Sequence, residues 1–596
     1  MSPDAAVSPV HRLVERAAAA NPDAVAVRHG DLGLTRGELV ERSRGLAAHL
    51  LARGVAPGSV VAVRLDRSIE HIVACLAILR AGCAFLSVDP SDPADRARRL
   101  VANARAAAVV TDAARMPDHP GLAIAIEDFP AGSAALPDAT GEDLAYVAYT
   151  SGSTGEPNAV EITHANLANL IAWTHETFAI GPEDRVTLAL GLGFDAAIWE
   201  LWPALAAGAC VHVLDDLVRT SPELLRAYWL DERITLATVP TAIAEPLVAA
   251  DWPADAPLRY LFTGGDVLRS RPRAGLPFAL VNNYGPTECT CETTWAVVEP
   301  GADGGLPPIG RPIAGVEIHL LDEAQRPVAP GAEGEIWIGG ASVGRGYRNN
   351  AELSAARFRP DPFSTAPGAR MYRTGDRGRW LPNGELAFCG RADRQVKIGG
   401  VRIELDEVAA ALQTHPDVAT AIVVAREDAR SAKSLVAYVS APPGRAPDAL
   451  ALRRHLADRL PRSYLPRAFV AIDAVPLTRN GKIDTAALPE PVLAMSRSTA
   501  SVPLSGPERK VIEIVRDVLH DQAVALDDNF FLLGGHSLQA TEVVVRCRAA
   551  FGVQVALADL FAAETIGAFV AAIRERIERW VASLSDTDVA AVLGRR

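Results

Sequence analysis

The sequence has little lysine, no paired cysteine motif and no long apolar run. Its 596 residues include 59 basic side chains, of which only four are lysines: Lys397, Lys433, Lys482 and Lys510. The seven cysteines form no CxxC pair, so neither a zinc site nor a disulfide framework is indicated. No stretch approaches 18 uncharged apolar residues and the N-terminus lacks a secretory h-region. We therefore expect a cytoplasmic protein that does not span a membrane, in which a lysine marks a special position.

Charge and composition narrow the class further. The 72 acidic side chains exceed the 59 basic ones, which gives a net charge of −13 and disfavours nucleic acid as a partner. Hydrophobic residues make up 49% and charged residues 22% of the chain, values that are typical of folded globular proteins. The length predicts several domains, about four by the usual domain size.

Changes of pattern along the chain predict where the domains begin and end. Over residues 1–392, helix-like stretches alternate with short apolar runs, which predicts a layered α/β core with partly parallel sheets. Residues 393–490 mix strands and helices and predict a small α+β subdomain. Residues 491–505 are rich in Pro and Ser and predict a linker. Helical periodicity over residues 506–580 predicts an all-α bundle, which is followed by a tail at 581–596.

The clearest candidate for phosphate binding is the segment Thr150-Ser151-Gly152-Ser153-Thr154-Gly155, which lies between two strand-like runs. Its hydroxyl groups and flexible backbone N–H groups offer the donors that phosphate oxygens require. The segment lacks the GK[ST] ending of a Walker loop, so it predicts a different kind of phosphate loop. A plain Gly/Ser turn between two strands is the alternative interpretation.

Further motifs occur in a fixed order along the chain. They are LTRGEL (34–39), ILRAGCAFLSVDP (78–90), GFDAAIWE (193–200), NNYGPTE (282–288), GEIWIGG with GRGY (334–347), YRTGD (372–376), GRADRQVKIGGVRIE (390–404) and NGKID (480–484). Together with YTSGSTGEP, these motifs resemble those of adenylate-forming enzymes, and most closely the adenylation domains of nonribosomal peptide synthetases, over residues 10–490. The C-terminal DDNFFLLGGHSL resembles the attachment site of a peptidyl carrier protein. The whole chain thus resembles an adenylation–thiolation didomain.

The resemblance implies a reaction in two halves. An amino acid carboxylate attacks the α-phosphate of ATP to give aminoacyl-AMP and pyrophosphate, and a phosphopantetheine thiol then takes the aminoacyl group. Lys482 matches the lysine that supplies positive charge at the reacting oxygens, although a solvated lysine in an Asn-Gly turn is the alternative. Glu288 matches the Mg²⁺ ligand, and Asp393 matches the hinge of a rotating C-terminal subdomain, whose movement opens a thiol tunnel beside Gly400.

The resemblance also implies the residues that bind ATP. Tyr284 would lie beside the adenine and Thr287 near the α-phosphate, while Asp376 and Arg391 would hold the ribose. A lone Asp after Gly is otherwise a turn residue. The full implied ATP-binding set is Thr150, Ser151, Gly152, Ser153, Thr154, Gly155, Tyr284, Thr287, Asp376 and Arg391.

A carboxylate in GFDAAIWE separates amino acid substrates from fatty or aryl acids. The resemblance implies that Asp195 pairs with the substrate α-ammonium, and the alternative is a cap of the helix that follows. The implied specificity pocket consists of Asp195, Ala196, Trp199, Thr238, Phe262, Gly264, Asn283, Cys291 and Glu292, together with Lys482. One half resembles pockets for aromatic residues, whereas the acidic half around Glu292 resembles pockets for glutamine-like or cationic side chains. A buried carboxylate needs a donor, so the sequence favours a side chain with terminal N–H groups, such as glutamine or arginine.

The carrier motif places a serine at a predicted helix start. Ser537 lies at the beginning of SLQATEVVVRCRAAF, where the helix dipole and free N–H groups favour the phosphate of 4′-phosphopantetheine. The alternative is an ordinary serine cap, which has the same geometry. A separate phosphopantetheinyl transferase would attach the arm.

The sequence departs from the family pattern at two positions and lacks two further motifs. Asn158 and Ala159 stand where the family usually has Lys-Gly, so a positive charge near the triphosphate is missing. The chain has no HHxxxDG motif of a condensation domain and no GxSxG motif of a thioesterase, which predicts cooperation in trans with condensation or tailoring enzymes. A small MbtH-like protein is a further candidate partner. The rival hypotheses are an acyl- or aryl-CoA ligase and a weakened adenylation domain that serves as a carrier scaffold.

Overall fold

A computed structural model of the chain describes residues 8–115, 121–127, 135–152, 156–301, 305–393, 395–398, 400–427, 433–442, 444–473, 476, 484–485, 487–491 and 504–583. Its helices are α1 (Val10–Ala20), α2 (Arg36–Ala52), α3 (Ile69–Arg80), α4 (Ala94–Asn103), α5 (His164–Phe178), α6 (Ala196–Ala207), α7 (Asp216–Thr220), α8 (Pro222–Asp231), α9 (Thr241–Ala249), α10 (Ala351–Arg357), α11 (Leu405–Gln413), α12 (Ala449–Ala457), α13 (Gly506–Leu519), α14 (Ser537–Phe551), α15 (Leu557–Ala562) and α16 (Ile566–Ser583). None of these described helices combines the length and apolar character that a membrane crossing requires.

Two large sheets form the centre of the α/β part. The nine-stranded sheet has the order β15 (Arg311–Pro312), β14 (Thr294–Val297), β13 (Ala279–Tyr284), β12 (Tyr260–Gly264), β11 (Leu236–Pro240), β9 (Arg185–Leu188), β10 (Cys210–Val213), β1 (Val25–His29) and β2 (Leu32–Thr35). The seven-stranded sheet has the order β18 (Gly346–Tyr347), β8 (Asn158–Thr163), β7 (Leu144–Thr150), β4 (Ala84–Ser87), β3 (Val60–Arg64), β5 (Ala108–Thr111) and β6 (Ala123–Ala125). The nine-stranded sheet has a parallel centre with antiparallel strands at both edges, whereas the seven-stranded sheet is antiparallel at the β7–β8–β18 side and parallel up to its other edge, β6.

Helix α3 shows why the sequence folds into layers. Its residues IEHIVACLAILR are apolar around most of the helix, and nearly all of them are buried. The helix contacts strands of both large sheets. A helix that is hydrophobic on every side must be enclosed, and this one lies within the main hydrophobic core of the α/β part.

Smaller sheets complete the chain. A five-stranded sheet has the order β16 (Val316–Leu321), β17 (Gly334–Gly340), β20 (Arg370–Trp380) and β19 (Phe358–Pro360), with β21 (Leu386–Arg391) also paired to β20. A hairpin consists of β22 (Val396–Ile398) and β23 (Val401–Ile403). A three-stranded sheet consists of β24 (Thr420–Glu427), β25 (Lys433–Ser440) and β26 (Ala468–Ala471).

The chain divides into two compact units. Unit 1 comprises residues 1–215, 225–407 and 458–463, and it contains both large sheets and the β22–β23 hairpin. Unit 2 comprises residues 216–224, 408–457 and 464–596, and it contains the three-stranded sheet and the C-terminal helices. Helix α13 begins with a capping box in which Ser505 and Glu508 bond each other's backbone N–H groups. Helices α13, α14 and α16 bury a shared apolar core.

The predicted fold class is confirmed: a large α/β core, a small α+β region and a helical bundle follow one another along the chain. The predicted strands SVVAVRL and CVHVL and the predicted helices at the two chain ends are present. The segment QVKIGGVRI, which predicts a strand, is a hairpin that turns at Gly400 with φ +82°. The exact domain boundaries stay predictions, and most of the predicted linker and tail lies outside the described residues.

Candidate functional site

The predicted phosphate loop begins at Thr150, which is the last residue of β7. Thr150 pairs with Asn158 across the β7–β8 hairpin, so the loop joins two antiparallel strands. The Thr150 hydroxyl is buried and has no hydrogen-bond partner among the described residues, while the Ser151 hydroxyl donates to the Arg402 carbonyl at 3.2 Å. A Cβ atom on Gly152 would lie 1.9 Å from the Glu156 carbonyl oxygen, so this position requires glycine. Ser153, Thr154 and Gly155 lie outside the described residues.

Asp376 lies at the centre of a second cluster. The Tyr284 hydroxyl donates to Asp376 Oδ2 at 2.6 Å, and the Arg391 guanidinium donates to Asp376 Oδ1. Arg391 also donates from Nε to Asp393 Oδ1 at 2.7 Å. Gly375 has φ +77°, and a Cβ there would lie 2.9 Å from Asp393 Oδ2. The structure thus brings together the residues predicted to hold adenosine and the predicted hinge residue, with both Asp376 oxygens occupied by donors.

The predicted metal ligand Glu288 is completely buried. Its carboxylate accepts hydrogen bonds from the Tyr347 hydroxyl at 2.8 Å and from Arg402 Nη1 at 3.1 Å to each oxygen. Burial raises the pKa of Glu288, but the Arg402 guanidinium and the Tyr347 hydroxyl outweigh it and hold the pKa below its usual value. Glu288 is therefore ionised at neutral pH, and its charge is balanced from within the chain.

Sequence reasoning missed the contribution of the β22–β23 hairpin. Arg402 on β23 pairs with Glu288, and Lys397 on β22 places its ammonium 5.8 Å from the ring centre of Tyr284. Burial lowers the pKa of Lys397, an effect that the nearby Asp376 carboxylate opposes. The scarcity of lysine in the chain was the signal for Lys397, whereas the Arg402 pairing spans 114 residues and has no local signal.

The predicted specificity pocket lies at the carboxyl ends of adjacent parallel strands. Thr238 on β11 is in register with Phe262 on β12, and Gly264 on β12 is in register with Asn283 on β13. A Cβ on Gly264 would lie 2.6 Å from the Asn283 carbonyl oxygen, so the strands approach closely here. Ligands bind outside the carboxyl ends of strands in open α/β sheets, so the position is suitable for a substrate.

Helix α6 contributes the other side of the predicted pocket at this edge of the sheet. Asp195 occupies the N-cap position of α6, but its side chain makes no capping hydrogen bond. The Ala196 backbone N–H and the Thr287 hydroxyl act on its carboxyl group instead and partly oppose the rise of its pKa. Ala196 and Trp199 follow in the first turn. The Trp199 ring lies 4.9 Å from that of Phe262 in an edge-to-face contact, and its Nε1 donates to Thr174 at 2.9 Å. The two aromatic side chains are thereby fixed as neighbours.

The polar end of the pocket holds unpaired atoms. Glu292 Oε2, both amide atoms of Asn283, and Asp195 Oδ2 are buried without a hydrogen-bond partner among the described residues. Burial raises the pKa of Glu292 to about 8; the Asn283 amide opposes this change and the Asp195 carboxylate adds to it. Burial likewise raises the pKa of Asp195. Thr290 and Cys291, just before Glu292, have φ values of 58° and 68°, a costly conformation that often marks functional sites.

The structure describes the predicted carrier serine but not the predicted catalytic lysine. Ser537 is exposed and is the first residue of the 15-residue helix α14. His536 caps this helix by accepting from the backbone N–H of Gln539. The alternative of a serine N-cap is therefore not realised here. Lys482 lies outside the described residues.

Comparisons with known proteins agree with this arrangement. Residues 14–348 match the model of AMP-binding enzymes, residues 407–482 match the C-terminal domain of AMP-binding enzymes, and residues 509–573 match the phosphopantetheine attachment site. The structure of holo-PA1221, a nonribosomal peptide synthetase protein with adenylation and PCP domains bound to a vinylsulfonamide inhibitor, is similar with a TM-score of 0.78 and 31% identity, covering 96% of this chain and 97% of that one.

Longer synthetases are also similar to this chain. A linear gramicidin synthase protein of Brevibacillus parabrevis is 41% identical over 575 residues, which cover 94% of this chain and 11% of that protein. Phosphinothricin tripeptide synthetase PhsB of Streptomyces viridochromogenes is 38% identical over 622 residues, which cover 99% of this chain and 52% of that protein. The chain thus spans from about a tenth to about half of the length of these two relatives.

Fold, site and comparisons together define an AMP-binding enzyme joined to a carrier domain. The chain belongs to the nonribosomal peptide synthetase family, as an adenylating ligase with an attached phosphopantetheine carrier domain. ATP and Mg²⁺ are the cofactors of the first domain, and 4′-phosphopantetheine is that of the second. The residues present fit them: Thr150 offers an unused buried hydroxyl, Glu288 an ionised carboxylate, and Ser537 an exposed hydroxyl at a helix start. When bound, Mg²⁺ neutralises charge on the phosphate oxygens.

Proposed function

We propose that the chain activates an amino acid with ATP as aminoacyl-AMP and transfers the aminoacyl group to the phosphopantetheine thiol on its own Ser537. The observation that carries the proposal is the arrangement of unit 1. One compact unit holds three groups: the Asp376–Arg391 pair, the ionised Glu288, and the Asp195 carboxylate, which makes no capping bond. These groups are suited to bind a ribose, a metal-bound triphosphate and an α-ammonium, respectively.

The first half-reaction needs positive charge where two anions meet. The substrate carboxylate is repelled by the triphosphate, so a preorganised cation at the reacting oxygens lowers the barrier. We assign this role to Lys482, metal binding to Glu288, and the sugar contacts to Asp376 and Arg391. Tyr284 would face the adenine and Thr287 the α-phosphate, and residues 150–155 would contact the phosphates.

Asp195 decides between an amino acid and another carboxylic acid. A carboxylate at a helix N-cap ordinarily accepts a backbone N–H of the first turn, whereas the Asp195 side chain makes no such capping bond and its Oδ2 has no partner among the described residues. A carboxylate that remains available can pair with an α-ammonium, a contact that fatty and aryl acids cannot make. This supports an amino acid substrate over the substrates of an acyl- or aryl-CoA ligase.

The second half-reaction uses the carrier domain. A phosphopantetheinyl transferase would attach the arm at Ser537, where the N-terminus of α14 favours a phosphate. Rotation at Asp393 would exchange Lys482 for the β22–β23 hairpin and open the thiol path beside Gly400. The aminoacyl thioester would then pass to condensation or tailoring enzymes in trans, with a small MbtH-like protein as a candidate partner. Because activation consumes ATP and the carrier arm comes from coenzyme A, we place the reaction in the cytoplasm.

Amino-acid-dependent exchange of pyrophosphate into ATP tests the first half. We expect Lys482→Ala to lower the exchange rate by about a hundredfold or more, as losses of a preorganised electrostatic group do. Lys510→Ala is the matched control, because Lys510 is exposed on α13 and pairs with Glu513. Full exchange activity in Lys482→Ala would overturn the assignment. Absence of exchange in the wild type would favour the carrier scaffold.

Intact-protein mass spectrometry tests the second half. After incubation with a carrier transferase and coenzyme A, the wild type should gain the mass of one phosphopantetheine arm. Ser537→Ala should gain none, whereas the exposed-serine control Ser583→Ala should behave as the wild type. An arm on Ser537→Ala would show that attachment occurs elsewhere.

A further inference from the structure

The acidic end of the pocket has more acceptor oxygens than the chain can satisfy. Glu292 is 7% exposed and Asn283 is 5% exposed. Cys291 Sγ makes a weak hydrogen bond to Glu292 Oε1 at 3.5 Å, and the Asn283 side chain also acts on the Glu292 carboxyl group. Glu292 Oε2 and both amide atoms of Asn283 have no partner at hydrogen-bonding distance among the described residues. Buried polar atoms in folded proteins are nearly always hydrogen-bonded. The unpaired oxygens therefore point to donors that come from a ligand.

The charge of the pocket indicates the sign of that ligand. Asp195 and Glu292 each have a carboxylate oxygen without a partner among the described residues, and the Asp195 carboxylate helps to raise the pKa of Glu292. Glu288 and Asp376, by contrast, are each paired with an arginine. An amino acid substrate brings one cation, its α-ammonium, which serves Asp195. The Lys397 ammonium acts on both carboxyl groups, yet Glu292 Oε2 keeps no hydrogen-bond partner among the described residues.

The aromatic side chains of the pocket indicate the shape of the ligand. Trp199 and Phe262 lie edge to face at 4.9 Å, and the Trp199 ring is held by its bond to Thr174. Aromatic faces attract cations, and a flat cation can also stack on them. Phe262 is in register with Thr238, and Gly264, two residues on, is in register with Asn283. Aromatic walls and an acidic end thus belong to the same sheet edge.

One chemical class satisfies both halves of the pocket. A planar head group with several N–H donors can stack on one aromatic face and donate along its edge to a carboxylate. A phenyl ring would leave Glu292 and Asn283 unpaired, and a carboxylate side chain would be repelled by Glu292. A flexible ammonium would satisfy Glu292 but would gain little from flat walls.

We infer that Glu292 and Asn283 bind the N–H-donating end of the substrate side chain, such as a guanidinium or an aromatic amine, while the Trp199–Phe262 pair borders its apolar part. This inference rests on the proposed function, since it names the amino acid class that the adenylation site selects. Glu292 is on this basis the residue that determines side-chain specificity, and Asp195 the residue that recognises the common α-ammonium.

Pyrophosphate exchange with a panel of amino acids tests the inference. The panel contains arginine, 4-aminophenylalanine, lysine, glutamine, phenylalanine and glutamate. We expect the highest kcat/KM with arginine or 4-aminophenylalanine and no exchange with glutamate. Glu292→Gln should lower kcat/KM for the preferred amino acid about 10- to 150-fold, the equivalent of about 1.5 to 3 kcal/mol for a hydrogen bond to a charged group.

Controls separate this inference from the proposed function. Glu299→Gln changes an exposed carboxylate just beyond β14 and should leave the profile unchanged. A wild-type preference for phenylalanine, lysine or glutamine, or an unchanged profile in Glu292→Gln, would overturn the inference while leaving amino acid activation intact. If no amino acid supports exchange, binding of arginyl and phenylalanyl sulfamoyl-adenylate analogues by calorimetry decides: tighter binding of the arginyl analogue supports the inference, and tighter binding of the phenylalanyl analogue overturns it.

Discussion

The nucleotide side and the pocket side of unit 1 treat buried carboxylates in opposite ways. On the nucleotide side, Glu288 pairs with Arg402, and Asp376 pairs with Arg391 and Tyr284. On the pocket side, Glu292 Oε2 and Asp195 Oδ2 have no partner among the described residues. The chain therefore pairs each acid with an arginine on the predicted nucleotide side, whereas on the predicted pocket side it leaves carboxyl oxygens without a hydrogen-bond partner among the described residues, as expected if a substrate supplies the donors.

This difference concerns stability as well as binding. A buried ion pair stabilises little on balance, but removing one partner is strongly destabilising because it leaves a buried charge. An unpaired buried carboxyl group avoids this cost in the unliganded protein by keeping its proton, in line with the raised pKa of Glu292. Above that pKa the carboxylate is a buried charge, and a ligand that supplies donors then stabilises the folded chain.

Removing the arginine partner of Glu288 should give the largest change in stability. We expect Arg402→Met to lower the stability of unit 1 by about 3 kcal/mol in Mg²⁺-free buffer, since Glu288 becomes a buried unpaired charge. Tryptophan fluorescence during urea unfolding measures this, because eight of the nine tryptophans lie in unit 1. The control Arg373→Met removes the exposed Arg373–Glu335 pair and should cost less than about 1 kcal/mol. Equal losses in both variants would show that the Glu288 pair is not special.

Replacing Glu292, on the unpaired side, with a neutral residue should instead raise the stability at high pH. The pKa of Glu292 is about 8 in the folded chain against an ordinary value of 4.5. Between these values the folded chain keeps a proton that the unfolded chain releases, so wild-type stability falls as the pH rises from about 4.5 to about 8. We expect Glu292→Gln to lack this decrease and to be more stable than the wild type at pH 9, by about 1 to 3 kcal/mol.

Urea unfolding at several pH values measures this difference. Glu299→Gln, which replaces an exposed carboxylate, should stay within about 0.5 kcal/mol of the wild type at every pH. A Glu292→Gln variant that is less stable than the wild type at pH 9 would mean that Glu292 has a partner in the free protein.

The smallest effect is expected at Asn283. Asn283→Ala removes a neutral acceptor, so the arginyl sulfamoyl-adenylate analogue should bind about 2- to 10-fold more weakly, in line with about 0.5 to 1.5 kcal/mol for a neutral hydrogen bond. Asn169→Ala is the control, because the Asn169 amide donates to the Ala314 carbonyl. Calorimetric titration gives both dissociation constants. A loss larger than that of Glu292→Gln would reverse the ranking of the two residues.

The sequence predicted much of the fold because local signals carry it. Helix α14 begins and ends where the apolar periodicity predicts, and β7 and β8 flank the phosphate loop as expected. Motif residues such as Glu288 and Asp376 could be named because their segments resemble a known series. The pairing of Arg402 with Glu288 and the lack of a partner for Glu292 Oε2 among the described residues could not be predicted, because each depends on side chains brought together from distant segments.

The pocket shows most clearly what could not be predicted from the sequence. Its residues looked contradictory in the sequence, with aromatic and acidic halves that match different substrates. In the structure, Thr238 from the first half and Phe262 from the second are in register on neighbouring strands, and under the inference above one head group would contact both halves. Strand register, which composition and spacing do not give, brings the two halves to one edge of the sheet.

Proton release on binding measures directly whether the substrate supplies the missing partner of Glu292. The arginyl sulfamoyl-adenylate analogue is titrated at pH 7 by calorimetry in buffers of different ionisation enthalpy, for the wild type and for Glu292→Gln. A guanidinium holds Glu292 in its ionised form, so the wild type should release about one proton more per bound analogue than the variant. Equal proton release by the two proteins would contradict the claim that Glu292 is left unpaired for a substrate cation.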